Sequence, residues 1–374
     1  MTVRANRRIL CLVMSKSGVN SLQEKRPRIL ARLLVSCALL LVILTAALAL
    51  NVSYGESNIP LGTVARVIGS HIPVIGSPTS SSDSDAALIV WGLRMPRALL
   101  ALIVGCLLAM AGAALQGLLQ NPLADPYTVG VSSGAALGAG VATVMVARIG
   151  LGGLAGQYAV SGAAFVFAIA AMFVVYALAR SAGRVSVHSF LLAGIVVGSF
   201  LWALLSFVLA WVAGDPAETQ KSIIFWLMGS FEAPDPWLAV RVAAPFAVFG
   251  LVALFAFARD LNVFSMGEEA ARHLGIETEN LKLIIIAVAS LITAAAVAVS
   301  GIIGFVGLVV PHICRRLFGP DHRVLIPTCA LAGATLTVLA DLASRAVLPP
   351  SGLPVGVVTA MLGAPFFLYL LKSR

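Results

Sequence analysis

Residues 283–314 read LIIIAVASLITAAAVAVSGIIGFVGLVVPHIC, an uncharged run of 32 residues with glycines at positions 301, 304 and 307. A helix needs about 20 apolar residues to cross a bilayer, so this run is too long for one crossing and short for two. Glycine costs about 1 kcal/mol relative to alanine in a helix interior, so a helix is easily interrupted there. The run therefore predicts one full membrane helix, a turn near Gly301, and a short helix that ends at Arg315.

Eight further uncharged stretches lie on either side of this run. They cover residues 33–55, 98–124, 126–147, 149–179, 185–214, 242–258, 324–340 and 346–371. Of the 374 residues, 60% are hydrophobic and 11% are charged, whereas soluble domains carry roughly 25% charged residues. We therefore expect an all-α polytopic membrane protein with ten transmembrane helices, one of the nine stretches supplying two of them.

The distribution of basic residues supports ten crossings. With the N-terminus inside and the segments alternating, 18 Lys and Arg residues fall on the inner side and seven on the outer side. Basic residues concentrate in cytoplasmic segments of membrane proteins. The pattern predicts a multi-pass protein of the cell (inner or cytoplasmic) membrane with both termini in the cytoplasm.

The N-terminal segment is basic and precedes the first apolar stretch. Residues 1–32 contain eight of the 25 basic residues and one acid. A basic tail before a membrane span is a topology signal, which we favour over a nucleic-acid-binding arm. The apolar run that follows is a full span, which favours an uncleaved first helix over a signal peptide. We expect a cytoplasmic tail over residues 1–28 and one membrane domain over residues 29–374.

The sequence argues against a catalytic or metal-binding role. Its five cysteines form no CxxC pair, its five histidines are dispersed, and no HExxH motif occurs. These absences disfavour a metal centre, and we expect no cofactor. A GxxxxGK[ST] loop is also missing, so the chain does not hold ATP through a P-loop. We expect a protein that is not itself an enzyme.

Three glycines recur every fourth residue at Gly130, Gly134 and Gly138. On a helix this spacing produces a smooth stripe against which another helix packs closely. Residues 130–134 also match the hydrolase pattern GxSxG, which requires a strand–turn–helix elbow and His and Asp partners. The motif lies at the start of an apolar helix, so we favour helix packing over a hydrolase.

The apolar stretches contain almost no ionisable residues. Ion-driven carriers usually place Asp, Glu or His near the middle of the membrane. Here Asp125, Asp341, His188 and His312 lie near the ends of the predicted spans. This indicates that energy enters through another protein, and it disfavours the alternative of an ion-coupled secondary carrier.

The inner segment 259–282 is the one sizeable inner loop with balanced charge. Residues 267–275 read GEEAARHLG, with glutamates first, Arg and His near the end, and a glycine at either limit. This order is typical of a short helix. From the residues alone, a surface that docks on a partner and a solvated connector are equally consistent.

Several motifs together resemble those of the iron-chelate (siderophore), heme and cobalamin permeases of ABC importers (FecCD-like and BtuC-like chains). These motifs are RMPR at 94–97, QGLLQNPLADP at 116–126, GVSSGAA at 130–136, GFVGLVVPH at 304–312, LPVG at 353–356 and LGAP at 362–365. The resemblance covers about residues 29–374 and implies the type II ABC importer permease fold.

The resemblance also implies partners and sites. It implies a second permease subunit in a homodimer, two cytoplasmic ATPase subunits and one external substrate-binding protein. By this resemblance, the arginines that dock on the binding protein are Arg94, Arg97 and Arg345. The residues that couple to the ATPases are, by the same resemblance, Gly267, Glu268, Ala271, Leu274 and Gly275. The residues of the translocation path and its inner gate are Val187, His188, Asn121 and Pro122.

The cargo that the resemblance favours is a ferric siderophore, because residues 121–127 look most like that branch. Cobalamin and heme are the alternatives. The gate positions Val187 and His188 depart from the small hydroxylated residues of the cobalamin member. This departure argues against cobalamin without excluding it.

Overall fold

The computed structural model describes residues 29–55, 57–71, 84–181, 184–212, 217–347 and 352–372. The predicted basic tail over residues 1–28 lies outside the described residues. Helices dominate the described chain, and its one small sheet is a two-residue antiparallel hairpin, β1 (Arg180–Ser181) and β2 (Arg184–Val185).

Fifteen helices are named in chain order. They are α1 (Ile29–Ser53), α2 (Leu61–Ser70), α3 (Ser84–Ala87), α4 (Met95–Leu118), α5 (Val131–Ile149), α6 (Gly153–Ala179), α7 (Val187–Trp211), α8 (Ala217–Leu227), α9 (Pro236–Ala256), α10 (Ala258–Phe264), α11 (Glu268–His273), α12 (Thr278–Ser300), α13 (Val306–Phe318), α14 (His322–Val347) and α15 (Val355–Lys372). A π-helical segment, Leu88–Arg94, joins α3 to α4, and a 3-10 turn, Pro126–Val129, precedes α5.

In the described chain, eight helical segments are long and apolar enough to cross a membrane. Val355–Tyr369, within α15, is a shorter apolar helix. Helix α13 is the short helix predicted after the break, although it ends at Phe318 instead of Arg315. The predicted break is confirmed, because α12 ends at Ser300 and Gly301 adopts a positive φ of 68°. Several helix boundaries differ by a few residues from the limits of the uncharged stretches, and the largest difference is at α4. The helical segment that contains α4 begins near Asp85 instead of residue 98. The π-helical segment extends it toward the N-terminus, so that it includes both arginines of the RMPR motif.

Helix α4 is the central helix of the molecule, and α9, α12, α13 and α14 pack around it. Glycines allow the closest approaches. A Cβ on Gly105 would collide with the carbonyl of Gly333 on α14, and one on Gly112 would collide with Gly307 on α13. Small residues at such crossings let helix backbones approach closely, which is how helices associate where lipid offers no hydrophobic drive.

The glycine stripe of α5 faces α6. A Cβ on Gly134 would lie 2.5 Å from the carbonyl oxygen of Phe167, and one on Gly138 would lie 2.5 Å from that of Ala163. Gly130, at the start of the stripe, has a φ of 85° and is the residue immediately before α5. This glycine begins the helix, and the other two form the contact surface.

The interrupted backbone between α12 and α13 is held by polar groups from elsewhere in the chain. The hydroxyl of Tyr127 donates to the carbonyl of Ile303 at 2.8 Å and accepts from its N–H at 3.1 Å. The N–H of Ser230 donates to the carbonyl of Ser300 at 2.8 Å. Non-helical backbone at membrane depth is tolerated where protein satisfies its polar groups, and these bonds do so here.

Candidate functional site

The predicted outer end of the molecule carries an arginine cluster around the last turn of α1. Arg94 is buried, and its guanidinium donates to the carbonyls of Val52 and Ser53, both at 3.0 Å, and of Ser57 at 2.6 Å. The final carbonyls of a helix lack partners within the helix and carry partial negative charge. Arg94 therefore closes the end of α1.

Arg345, on α14, also binds backbone carbonyls at the end of α1. It donates to the carbonyl of Asn51 at 3.0 Å and to that of Tyr54 at 3.1 Å. The buried carboxylate of Asp341 lies 3.2 Å from it and also accepts from the side-chain amide of Asn51 at 3.0 Å. These bonds connect the ends of α1 and α14.

Arg97 connects the buried carboxylate of Asp341 to the protein surface. Its Nε donates to Asp341 at 2.9 Å, and its NH1 donates to Glu232 at 2.8 Å. The side chain of Asp341 is fully buried, whereas that of Glu232 is 74% exposed. One side of the guanidinium is thus held inside the protein, and the other binds a carboxylate at the surface.

The structure brings the three predicted docking arginines together at one end of the molecule but separates them by environment. Arg94 and Arg345 donate to carbonyls at the end of α1, whereas Arg97 binds the surface carboxylate of Glu232. Their docking role remains a prediction. Glu232 is not predictable from the sequence as a site residue, because its pairing with Arg97 spans 135 residues.

The predicted inner end carries α10 and α11, and α10 is fixed at two points. The side-chain amide of Asn262 donates to Asp321 at 2.7 Å, and the side-chain amide of Gln120 donates to the carbonyl of Phe264 at 2.8 Å. Burial would raise the pKa of Asp321, but hydrogen bonds from Arg323 and Asn262 outweigh it and lower the pKa to about 2. Asp321 is therefore a carboxylate at neutral pH and anchors the loop.

Helix α11 contains the predicted coupling residues. Gly267 and Gly275, which flank it, have positive φ values of 120° and 86°. Ala271 is fully buried, whereas Leu274 is 66% exposed and Met266, before the helix, is 75% exposed. Only Leu274 of the predicted apolar pair is available to a partner. Met266 was missed, because a single methionine outside a periodic pattern gives no signal in a sequence.

Glu268, the remaining predicted coupling residue, belongs to a charged cluster. We call Glu268, Arg272, Glu279 and Lys282 the Lys282 cluster. Glu268 bonds to Arg272 and lies 2.9 Å from Lys282. The cluster joins α11 to the first turn of α12.

The predicted gate residues lie where α7 begins. Ser186 caps the helix by accepting from the N–H of Ser189 at 3.0 Å, and its hydroxyl lies 2.8 Å from that of Ser189. Val187 is partly buried, and His188 is exposed. The hydroxyls that the sequence lacks at the gate positions themselves are present on either side of them.

The other predicted path residues, Asn121 and Pro122, follow the end of α4 and are partly buried. Asn121 Oδ1 accepts from the N–H of Leu123 at 2.9 Å, which fixes the turn. Leu119 and Val187 line one cavity of about 10 Å³, room for one water molecule at most. Leu119, two residues before Asn121, therefore lies near Val187 at the predicted inner end.

Asp125 lies in the turn that follows and is partly buried. Its carboxylate accepts from the N–H of Tyr127 at 3.1 Å. Burial raises the pKa of Asp125 to about 6, although this hydrogen bond lowers it in part. Asp125 is therefore close to titration under mildly acidic conditions.

The GxSxG match has no hydrolase geometry. The hydroxyl of Ser133 donates to the carbonyl of Gly130 at 2.9 Å, and Ser132 points to the carbonyl of Tyr127 at 3.5 Å. Both serines lie in the first turn of α5 and bond to their own local backbone. These bonds stabilise the first turn of α5.

Comparison with known proteins gives a consistent result. The model of the FecCD transport family matches residues 28–373. The cobalamin import system permease protein of Halobacterium salinarum is 44% identical over 77% of this chain and 74% of its own length. The hemin transport system permease protein of Yersinia pestis is 39% identical over 79% of this chain and 86% of its own length.

A solved structure agrees with the fold. It is described as an inward-facing conformation of a metal-chelate type ABC transporter, and it superposes with a TM-score of 0.76 at 28% identity. The match covers 90% of this chain and 99% of that chain. The likeness therefore extends over most of the chain.

Proposed function

We propose, from the premise that this chain belongs to the FecCD transport family and is the permease subunit of an ABC importer, that its cargo is a cobalamin-type corrinoid. Separate subunits hydrolyse ATP, so the chain itself is not an enzyme. The observation that carries the choice of cargo is the 44% identity with a cobalamin permease. The hydroxyls of Ser186 and Ser189 beside the gate support it, because they restore polar groups at that point.

A ferric siderophore is the second candidate cargo, supported by residues 121–127. The predicted preference for a siderophore is not confirmed, because two similar permeases are named for cobalamin and for hemin. Hemin is therefore the third candidate. All three are bulky metal chelates and require the same machinery.

We propose that the cargo passes between two copies of the chain in a homodimer. The cavity beside Val187 has room for one water molecule at most, and His188 lies exposed at the surface. One chain thus supplies one wall at this point, and a second copy supplies the other. ATP-driven movement of the partner subunits alternates the opening of this path.

The inner contact with the ATPases is proposed to involve α11, with Leu274 and Met266 as its exposed apolar residues. The outer contact is proposed to involve Arg97. A carboxylate of the binding protein takes the place of Glu232 on NH1 while Asp341 keeps Nε. A Glu232→Gln variant tests this contact by titration of the binding protein. We expect tighter binding by a few fold, since an exposed ion pair contributes up to about 1 kcal/mol.

The topology is also a proposal: cytoplasmic membrane, with both termini inside. Single cysteines at Ala65, on α2, and at Glu269, on α11, test it in intact cells, because both residues are exposed. A membrane-impermeant thiol reagent should label the first and not the second. The reverse pattern would overturn the orientation.

The cargo is tested by uptake in cells that lack the gene, with and without the gene restored. The probes are labelled cyanocobalamin, ⁵⁵Fe-ferrichrome and ⁵⁵Fe-hemin, each with ATP depleted or with an ionophore added. Restored uptake of cyanocobalamin supports the proposal, and restored uptake of an iron chelate alone replaces it. Loss of uptake with the ionophore at constant ATP would favour a secondary carrier instead.

A further inference from the structure

Lys282 is a buried cation on the inner side of the molecule, and only 5% of its side chain is exposed. Its ammonium group has three N–H donors. It donates to the carbonyl of Val185 at 2.8 Å, to Glu268 at 2.9 Å and to Glu279 at 3.0 Å. Each donor therefore has one acceptor, which fixes the position of the group.

The three acceptors belong to three different elements. Glu268 is the first residue of α11, Glu279 lies in the first turn of α12, and Val185 ends the β1–β2 hairpin before α7. Glu279 also accepts from the N–H of Val185 at 3.0 Å. Both backbone polar groups of Val185 are therefore held by the Lys282 cluster.

Val185 lies two residues before Val187, the first residue of α7. A movement of α11 pulls on Glu268, and the ammonium group of Lys282 passes that displacement to the carbonyl of Val185. Hydrogen bonds in which the donor or the acceptor is ionised are short and about twice as strong as neutral ones, so this connection is stiff. Phe190, in the first turn of α7, is buried. Because a close-packed interior transmits strain, a displacement of this turn is passed to the rest of the helix.

We propose that Lys282 is the positioning residue that transmits movement of α11 to the beginning of α7, and thereby to the gate. This proposal rests on the proposed function, which assigns α11 to the ATPase contact and Val187 and His188 to the gate. It adds the physical connection between them. A long cation suits this role because it reaches acceptors on three elements at once.

Arg272 is the matched control within the same cluster. It bonds to Glu268 and donates from Nε to Thr278 at 3.0 Å. Its side chain is 40% exposed, and its partners among the described residues lie on α11 and α12. It therefore joins those two helices without a bond to the segment before α7. Replacing Arg272 removes a positive charge from the cluster but leaves the bond between Lys282 and Val185 in place.

The experiment uses the complete transporter, with its ATPase and binding-protein subunits, in inside-out membrane vesicles. The five cysteines of the chain are replaced by alanine, and a single cysteine is placed at Glu269 or at His188. The rate of maleimide labelling is measured with and without Mg-ATP and vanadate. We expect the nucleotide to change both rates by about fivefold or more, the lower range of coupling between linked sites.

With Lys282→Met, we expect the response at position 269 to persist and the response at position 188 to fall below about twofold. Lys282→Arg should restore part of it, and Arg272→Met should leave it unchanged. Persistence of the full response at position 188 in Lys282→Met would refute the connection. Absence of any response at position 269 in the parent would refute the assignment of α11, and the inference with it. Equal labelling without nucleotide in the parent and in Lys282→Met excludes misfolding.

Discussion

Replacing Tyr127 with phenylalanine tests how the broken backbone between α12 and α13 is stabilised. The substitution removes one hydroxyl and leaves the ring in place. That hydroxyl makes two hydrogen bonds to Ile303, one as donor at 2.8 Å and one as acceptor at 3.1 Å. Ile303 is fully buried, so water does not readily replace either bond.

The size of the effect follows from these two bonds. A buried polar group left without a partner costs about 1–3 kcal/mol. Side-chain hydrogen bonds between membrane helices average only about 0.6 kcal/mol, because the unfolded reference state in the membrane also finds partners. Two bonds therefore correspond to about 1–6 kcal/mol. We expect the free energy of unfolding to fall by about 2 kcal/mol, because Tyr127 itself is only partly buried.

The assay is reversible unfolding in mixed micelles with increasing dodecyl sulfate, followed by circular dichroism. Tyr369→Phe is the matched control, because it makes the same chemical change at a side chain that is 67% exposed. We expect the control to stay within about 0.5 kcal/mol of the parent. If Tyr127→Phe unfolds together with the control, the hydroxyl does not stabilise the break.

Three further predictions follow from the two ends of the molecule. Arg94→Met should lower the free energy of unfolding by about 3 kcal/mol, because three carbonyls lose a charged donor; an unchanged melting curve would contradict the role of Arg94 at the end of α1. Leu274→Glu should leave the chain folded and lower transport per ATP hydrolysed, whereas Ala271→Glu should abolish folded protein, since only the second places a charge in the core; size-exclusion profiles and coupled uptake assays distinguish them. Because the pKa of Asp125 is raised to about 6, its contribution to stability is complete below the unfolded pKa of about 4 and is lost as the pH rises through 6. The parent should therefore lose stability relative to Asp125→Asn between pH 4 and 7 in thermal unfolding, and a parallel pH dependence would refute this.

The membrane helices could be predicted from the sequence because lipid imposes a local rule. Each span must be about 20 apolar residues long, and charge must lie at its ends, so the boundaries can be found without knowing the partners of any residue. The break at Gly301 was accessible for the same reason. Glycine interrupts a helix through its own backbone, and the excess length of the run required an interruption.

The roles of single polar residues could not be predicted from the sequence in the same way. Tyr127 and Ile303 are 176 residues apart, and Lys282 and Val185 are 97 residues apart. No local pattern indicates such pairs. The arginines illustrate the limit, because their predicted positions at one end agree with the structure. Which of them remains available to a partner depends on carbonyls that only the folded chain places beside them.

The closure of α1 has a consequence for biosynthesis. Asn51 and its partner Asp341 are separated by 290 residues, and a ribosome adds about 5–20 residues per second. Arg94 is made soon after α1 and binds the carbonyls of Val52 and Ser53. The carbonyls of Asn51 and Tyr54, which bind Arg345, wait about 15–60 s for α14. During that time the end of α1 is only partly closed, and a chain truncated before Arg345 keeps it so.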